Sequence, residues 1–199
     1  MNLFHLFSVA ILAAGFSGLP APERAETSLP ALNKVEISRS AESAEIIPWN
    51  AESRLTWDDF LCEPQRGTEA VASTSTSLGI AYQVTNGKLS FNITCNFSKT
   101  KSWGLIKTDY ILAHEQGHFD ITEIFARKLY EALYEYEFNR KTFKKDINEI
   151  YQTVVRQKEA FQKMYDGETD HSRNRKSQYD WLEKIQDLLD ATAVYANYP

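Results

Sequence analysis

The strongest periodic signal in this 199-residue chain lies in its second half and is helical. From Thr108, a residue suited to capping a helix, to about Glu137, the residues Ile111, His114, His118, Ile121, Phe125, Leu129, Ala132 and Tyr136 recur three or four positions apart. That spacing predicts one long helix with a single core-facing stripe. A second helix is expected from about Phe143 to Met164, with Ile147, Ile150, Tyr151, Val154, Val155, Phe161 and Met164 inward and its lysines and arginines on a solvated face. Glycine, threonine, serine and asparagine break the pattern between Tyr165 and Arg175, and a third helix follows from about Lys176 to Val194, burying Trp181, Ile185, Leu188 and Leu189.

The first half carries the other period. Ser75–Val84 and Lys88–Phe97 are rich in β-branched and aromatic residues, and Thr85-Asn86-Gly87 between them is a hairpin turn signal. Leu89, Phe91, Ile93 and Cys95 alternate with Ser90, Asn92 and Thr94, so one face of that strand is expected to be buried and the other wet. Ala44–Trp49 reads as a further short strand, and Leu55-Thr56-Trp57-Asp58-Asp59-Phe60 as an aromatic segment docked on the sheet. The fold class expected is α+β, an antiparallel sheet from the N-terminal half packed on a helical C-terminal half.

Upstream of residue 44 neither period is present. Residues 1–19 contain no acid, lysine or arginine, and Leu6–Phe16 has the length of a signal-peptide apolar region rather than of a membrane span. Cleavage after Ser17 is expected, with an uncleaved anchor as the alternative and the only route to a membrane. Residues 18–43, rich in Pro, Ala, Ser and Glu, read as a flexible linker, which leaves 44–199 as a single domain. The protein should therefore be exported, to the periplasm or beyond.

Charge and cysteine content narrow the picture. A net charge of -5 and a pI near 5.5 leave no basic groove, which sets nucleic acid aside. Cys62 and Cys95 are the only cysteines, and in an exported protein a disulfide between them is expected; it would close a loop of about thirty residues, worth roughly 3 to 4 kcal/mol. Neither belongs to a Cys-x-x-Cys pair. Asn92-Ile93-Thr94 and Asn96-Phe97-Ser98 match a glycosylation pattern but, inside a strand, are more simply pleat residues.

Candidate chemistry sits on the first helix, where His114-Glu115-Gln116-Gly117-His118 forms His-Glu-x-x-His. A four-residue interval stacks the two imidazoles one turn apart, so both can reach one Zn2+ ion. Glu115 is placed beside that face, as the catalytic base for a water that the ion polarises. Catalytic zinc takes three protein ligands, and the third must come from elsewhere in the chain. His171, in the break before the third helix, is the candidate, with Asp120, Glu123, Asp166 and Glu168 as rivals.

These residues also carry a likeness. Leu55 to Phe60, Ser102-Trp103, Leu112 through Ile121, Tyr165-Asp166, Glu168-Thr169, His171, Gln178 and Trp181 resemble the bacterial proteins of domain of unknown function 922, described as predicted secreted zinc-dependent proteases. The resemblance covers most of the chain after residue 44. It implies a zincin-like domain with His114, His118 and His171 as zinc ligands and Glu115 as base. The family tends to have glycine after the last histidine where this chain has Ser172, which implies a different turn. The expected function is zinc-dependent hydrolysis of a peptide or protein substrate, cell-envelope substrates included. The alternatives are a cell-wall peptide amidase and a non-catalytic envelope binding module with a structural metal.

Overall fold

In the computed structural model, which describes residues 45–65 and 67–199, the chain runs β1 (Ile46–Pro48), a 3-10 turn (Trp57–Asp59), β2 (Ala72–Ser73), β3 (Thr76–Thr85), β4 (Lys88–Ser98), β5 (Trp103–Gly104), α1 (Asp109–Tyr134), α2 (Phe143–Thr169), α3 (Arg175–Ala191) and a last 3-10 turn (Ala193–Tyr195). The architecture is α+β with antiparallel sheets. The expected export segment, 1–17, and linker, 18–43, lie outside the described residues. Among the described residues no helix is long and apolar enough to cross a membrane.

The hairpin forms because its turn chemistry and its alternation agree. β3 and β4 pair from Thr76↔Phe97 to Thr85↔Lys88, leaving Asn86 and Gly87 as a two-residue loop with φ of 52° and 76°. Both loop positions are left-handed, as a type I′ turn requires, and asparagine and glycine tolerate that conformation best. β1 joins the other side of β4 through Ile47↔Phe97, giving the order β1-β4-β3. β2 and β5 form a separate two-residue pair, too short for any period to announce it.

Leu78, Ile93, Cys95 and Phe97 line the buried face of the main sheet, while Ser90, Asn92 and Thr94 face water. α1 crosses that face, with the Phe119 ring on Phe97 and the Tyr130 ring on Phe91, each at 5.9 Å. α2 returns antiparallel along α1: Asp146 meets Tyr136, the Phe161 ring packs 5.7 Å from Phe125, and Asp166 reaches His114. α3 closes the layer with Trp181, whose ring lies 5.1 Å from Phe161 and 5.5 Å from Tyr165.

α1 is therefore enclosed by sheet and helices together. Every residue from Ile121 to Arg127 is buried, so the single stripe expected for this helix understates its environment. Two of those residues are charged, and they satisfy each other: Arg127 Nε donates to Glu123 Oε1 at 2.8 Å, and Tyr198 Oη donates to Glu123 Oε2 at 2.6 Å. A buried ion pair persists only where such hydrogen bonds complete it.

Two expectations need correction. α2 does not end at Met164 but continues to Thr169, and Met164 itself is exposed. Burial of Tyr165 and Thr169, with Thr169 Oγ1 donating to the Tyr165 carbonyl at 2.7 Å, offsets the helix cost of Gly167, about 1 kcal/mol. Cys62 and Cys95 are free thiols rather than a disulfide. Cys95 turns into the core, where it hydrogen-bonds Glu123 and burial pushes its thiol well above the usual range. Cys62 sits in a loop and donates to the Glu63 carbonyl at 3.6 Å.

Candidate metal centre

The four-residue interval in α1 brings the His114 and His118 rings to 4.9 Å, nearly perpendicular. Both direct Nε2 at one oxygen of α2: Asp166 Oδ1 lies 3.3 Å from His114 Nε2 and 3.0 Å from His118 Nε2. These three donors fall within 4.8 Å of one another. Zinc bonds of 2.0–2.2 Å in a tetrahedral shell place neighbouring ligand atoms roughly 3.3 Å apart. The observed separations fit that edge, and two imidazoles with a carboxylate are a donor set suited to zinc.

One face of α2 supports the pair. Gln162, Tyr165, Asp166 and Thr169 recur at helical spacing, and the first three contact α1 directly. The Tyr165 ring stacks on His114 at 4.5 Å and 21°, meets His118 edge-on at 5.0 Å, and sends its hydroxyl to the His114 carbonyl at 3.3 Å. Gly117 makes room for it, since a Cβ there would lie 2.6 Å from the tyrosine oxygen. Gln162 accepts from His118 Nδ1 and returns its own amide N–H to the His118 carbonyl at 2.9 Å.

Glu115 is 4% exposed, and its Oε2 has no hydrogen-bond partner among the described residues; the same is true of His114 Nδ1. A buried carboxylate oxygen left open beside three converging donors is a group awaiting a water or a ligand. The two histidines titrate apart. Burial pushes His114 down despite its hydrogen bond to Asp166. For His118 burial acts in the same direction, but the hydrogen bond and charge of Asp166, with the charge of Glu115, outweigh it and raise the imidazole to about 9. Burial would raise Asp166, yet its hydrogen bonds to both imidazoles hold it well below the usual carboxylate range.

Of the remaining candidates, Asp120, Glu123 and Glu168 are engaged away from the histidine pair, and His171 lies at its edge. Asp120 accepts from Trp49 Nε1 at 2.9 Å, Arg54 at 3.0 Å and Gln116 at 2.8 Å, and Gln116 in turn accepts from the Leu55 backbone N–H at 2.8 Å. That side of the motif anchors the segment before β2. Glu123 is engaged with Arg127 and Tyr198, and Glu168 accepts from Trp181 Nε1 at 2.7 Å. His171, the expected third ligand, stands outside the group of three donors; its side chain is 63% exposed and its Nδ1 lies 3.8 Å from Asp166 Oδ1. Sequence reading placed Asp166 in a loop among the rivals and passed over Gln162 and the packing role of Tyr165. The spacing 162, 165, 166, 169 was the signal that they share a helix face.

A family model described as a bacterial protein of unknown function (DUF922) matches residues 38–172, a span that includes both histidines of the motif, Glu115, Asp166 and His171. No curated protein and no solved structure matches the chain.

Proposed function

We propose, for a chain that belongs to the DUF922 family of bacterial proteins of unknown function, a zinc-dependent hydrolysis of peptide bonds outside the cytoplasm, on a zincin-like helix pair. The observation that carries this reading is the convergence of His114 Nε2, His118 Nε2 and Asp166 Oδ1 beside Glu115, whose buried Oε2 has no hydrogen-bond partner among the described residues. His114, His118 and Asp166 would hold the ion. Zinc bound there would supply a Lewis acid for the scissile carbonyl and bring the pKa of a coordinated water toward neutrality. Glu115 accepts the proton of the attacking water and returns it to the departing amine, so a single carboxylate serves as base and then acid. Tyr165 fixes the plane of the His114 ring by stacking. Among the described residues three donors converge, rather than the four that close a structural zinc site, which favours catalysis over a mere staple.

The test is metal analysis of purified protein together with hydrolysis of a mixed peptide library. Glu115→Gln should retain zinc and lose turnover by about 10²- to 10⁴-fold. Asp166→Ala should lose zinc, and His171→Ala should keep it. A wild-type protein without zinc, or undiminished hydrolysis by Glu115→Gln, defeats the proposal; zinc lost from His171→Ala and kept by Asp166→Ala would make the histidine the third ligand.

A further inference from the structure

Gln162 stands one turn before Asp166 on α2 and spends its whole carboxamide on α1. Its Nε2 donates to the His118 carbonyl at 2.9 Å and to Thr122 Oγ1 at 3.3 Å, while Oε1 meets His118 Nδ1. Chemistry fixes the orientation of this amide. A backbone carbonyl can only accept, so the NH2 group must face it and Oε1 must face the ring. An amide oxygen can likewise only accept, so Nδ1 of His118 carries the hydrogen. In the neutral ring Nε2 is then left with the lone pair, and Nε2 is the atom beside Asp166. Thr122 Oγ1 also lies 2.7 Å from Thr76 Oγ1, which ties the arrangement to β3. Among the described residues His114 has nothing comparable: its buried Nδ1 finds no partner there, and its ring is held by stacking on Tyr165.

We propose that Gln162 is a positioning residue of the zinc centre, selecting the Nδ1–H tautomer of His118 and fixing the ring so that Nε2 presents its lone pair to the ion. This inference rests on reading the site as a zinc centre. Partners that donate or accept at the far nitrogen of a metal-binding histidine set its tautomer and its basicity. Gln162 is a neutral partner, so it orients His118 without the added ligand basicity that a carboxylate would give.

The experiment uses the full chain, with zinc affinity measured by chelator competition and the imidazole nitrogens and protons followed by NMR. Gln162→Ala should weaken zinc binding about 10- to 100-fold and abolish the protected His118 Nδ1–H resonance. Gln162→Glu keeps the acceptor and loses both donated hydrogen bonds; it should retain the resonance and bind zinc at least as tightly as wild type. If Gln162 served only to pin α2 on α1, both variants would lose affinity together, and that result would overturn the assignment. Unchanged affinity in Gln162→Ala would also overturn it while leaving the zinc centre standing, whereas failure of the wild type to take up zinc would defeat the underlying reading.

Discussion

At the scale of single residues, the His118–Asp166 pair is a proton store. His118 is raised to about 9 from an ordinary 6.5, so the stability it lends the metal-free fold is complete below about pH 6.5 and fades as pH rises through 9. Asp166 is depressed, so its share is present above its ordinary value of 3.8 and lost as pH falls through its lower folded value. The pair supports the metal-free protein best between about pH 4 and 6.5. On the proposed reading zinc displaces the His118 proton, and its apparent affinity should rise about tenfold per pH unit between pH 6.5 and 9, with close to one proton released per ion. Calorimetry in buffers of different ionisation heat would count that proton; affinity independent of pH in this window would contradict the charged His118–Asp166 pair.

At the scale of elements, the end of α2 decides where Asp166 and His171 stand. Asp170, His171 and Ser172 follow one another with φ of 49°, 51° and 71°, three left-handed residues without a glycine. The run is held by the His171 backbone N–H on the Asp166 carbonyl at 2.9 Å and by the Tyr110 hydroxyl on the Ser172 carbonyl at 2.6 Å. Ser172 is the least suited of the three, because aspartate and histidine enter this region more readily. Ser172→Gly should raise stability by about 0.5 to 1 kcal/mol once glycine's greater freedom in the unfolded chain is deducted. A thermal melt would check it, and a lower midpoint would show that the buried serine side chain contributes more than its backbone costs. This stretch is also where sequence reading lost its footing. The long helices and the Asn86-Gly87 hairpin could be read because period and turn residue agreed. The last turn of α2 could not, because Asp166, Glu168 and Thr169 look like loop residues until Tyr165 is seen seated against Gly117. In the same way the histidine pair was visible as a local interval, whereas the third donor lies 52 residues from His114 and only packing brings it there.

For the whole molecule, the core and the proposed metal centre are separable. Phe97, Leu78, Ile121, Ile124, Leu129 and Ile147 are fully buried, and none of them contributes to the three-donor group. Removing zinc with a chelator should leave the far-UV circular dichroism unchanged and lower the melting midpoint; at zinc a hundredfold above its Kd the difference is about 2.7 kcal/mol, or roughly 5 to 10 °C for a chain of this size. Loss of helical signal on chelation would show instead that the ion is part of the scaffold. The division of the donors between α1 and α2 has a further bearing on timing. A chain that is still extended carries the complete His-Glu-x-x-His motif but only two of its three ligands in one place, so on the proposed reading it is not yet a hydrolase. On that reading docking of the two helices arms the site, so unfolded neighbours, the polypeptides most open to cleavage, would be spared until the chain has folded.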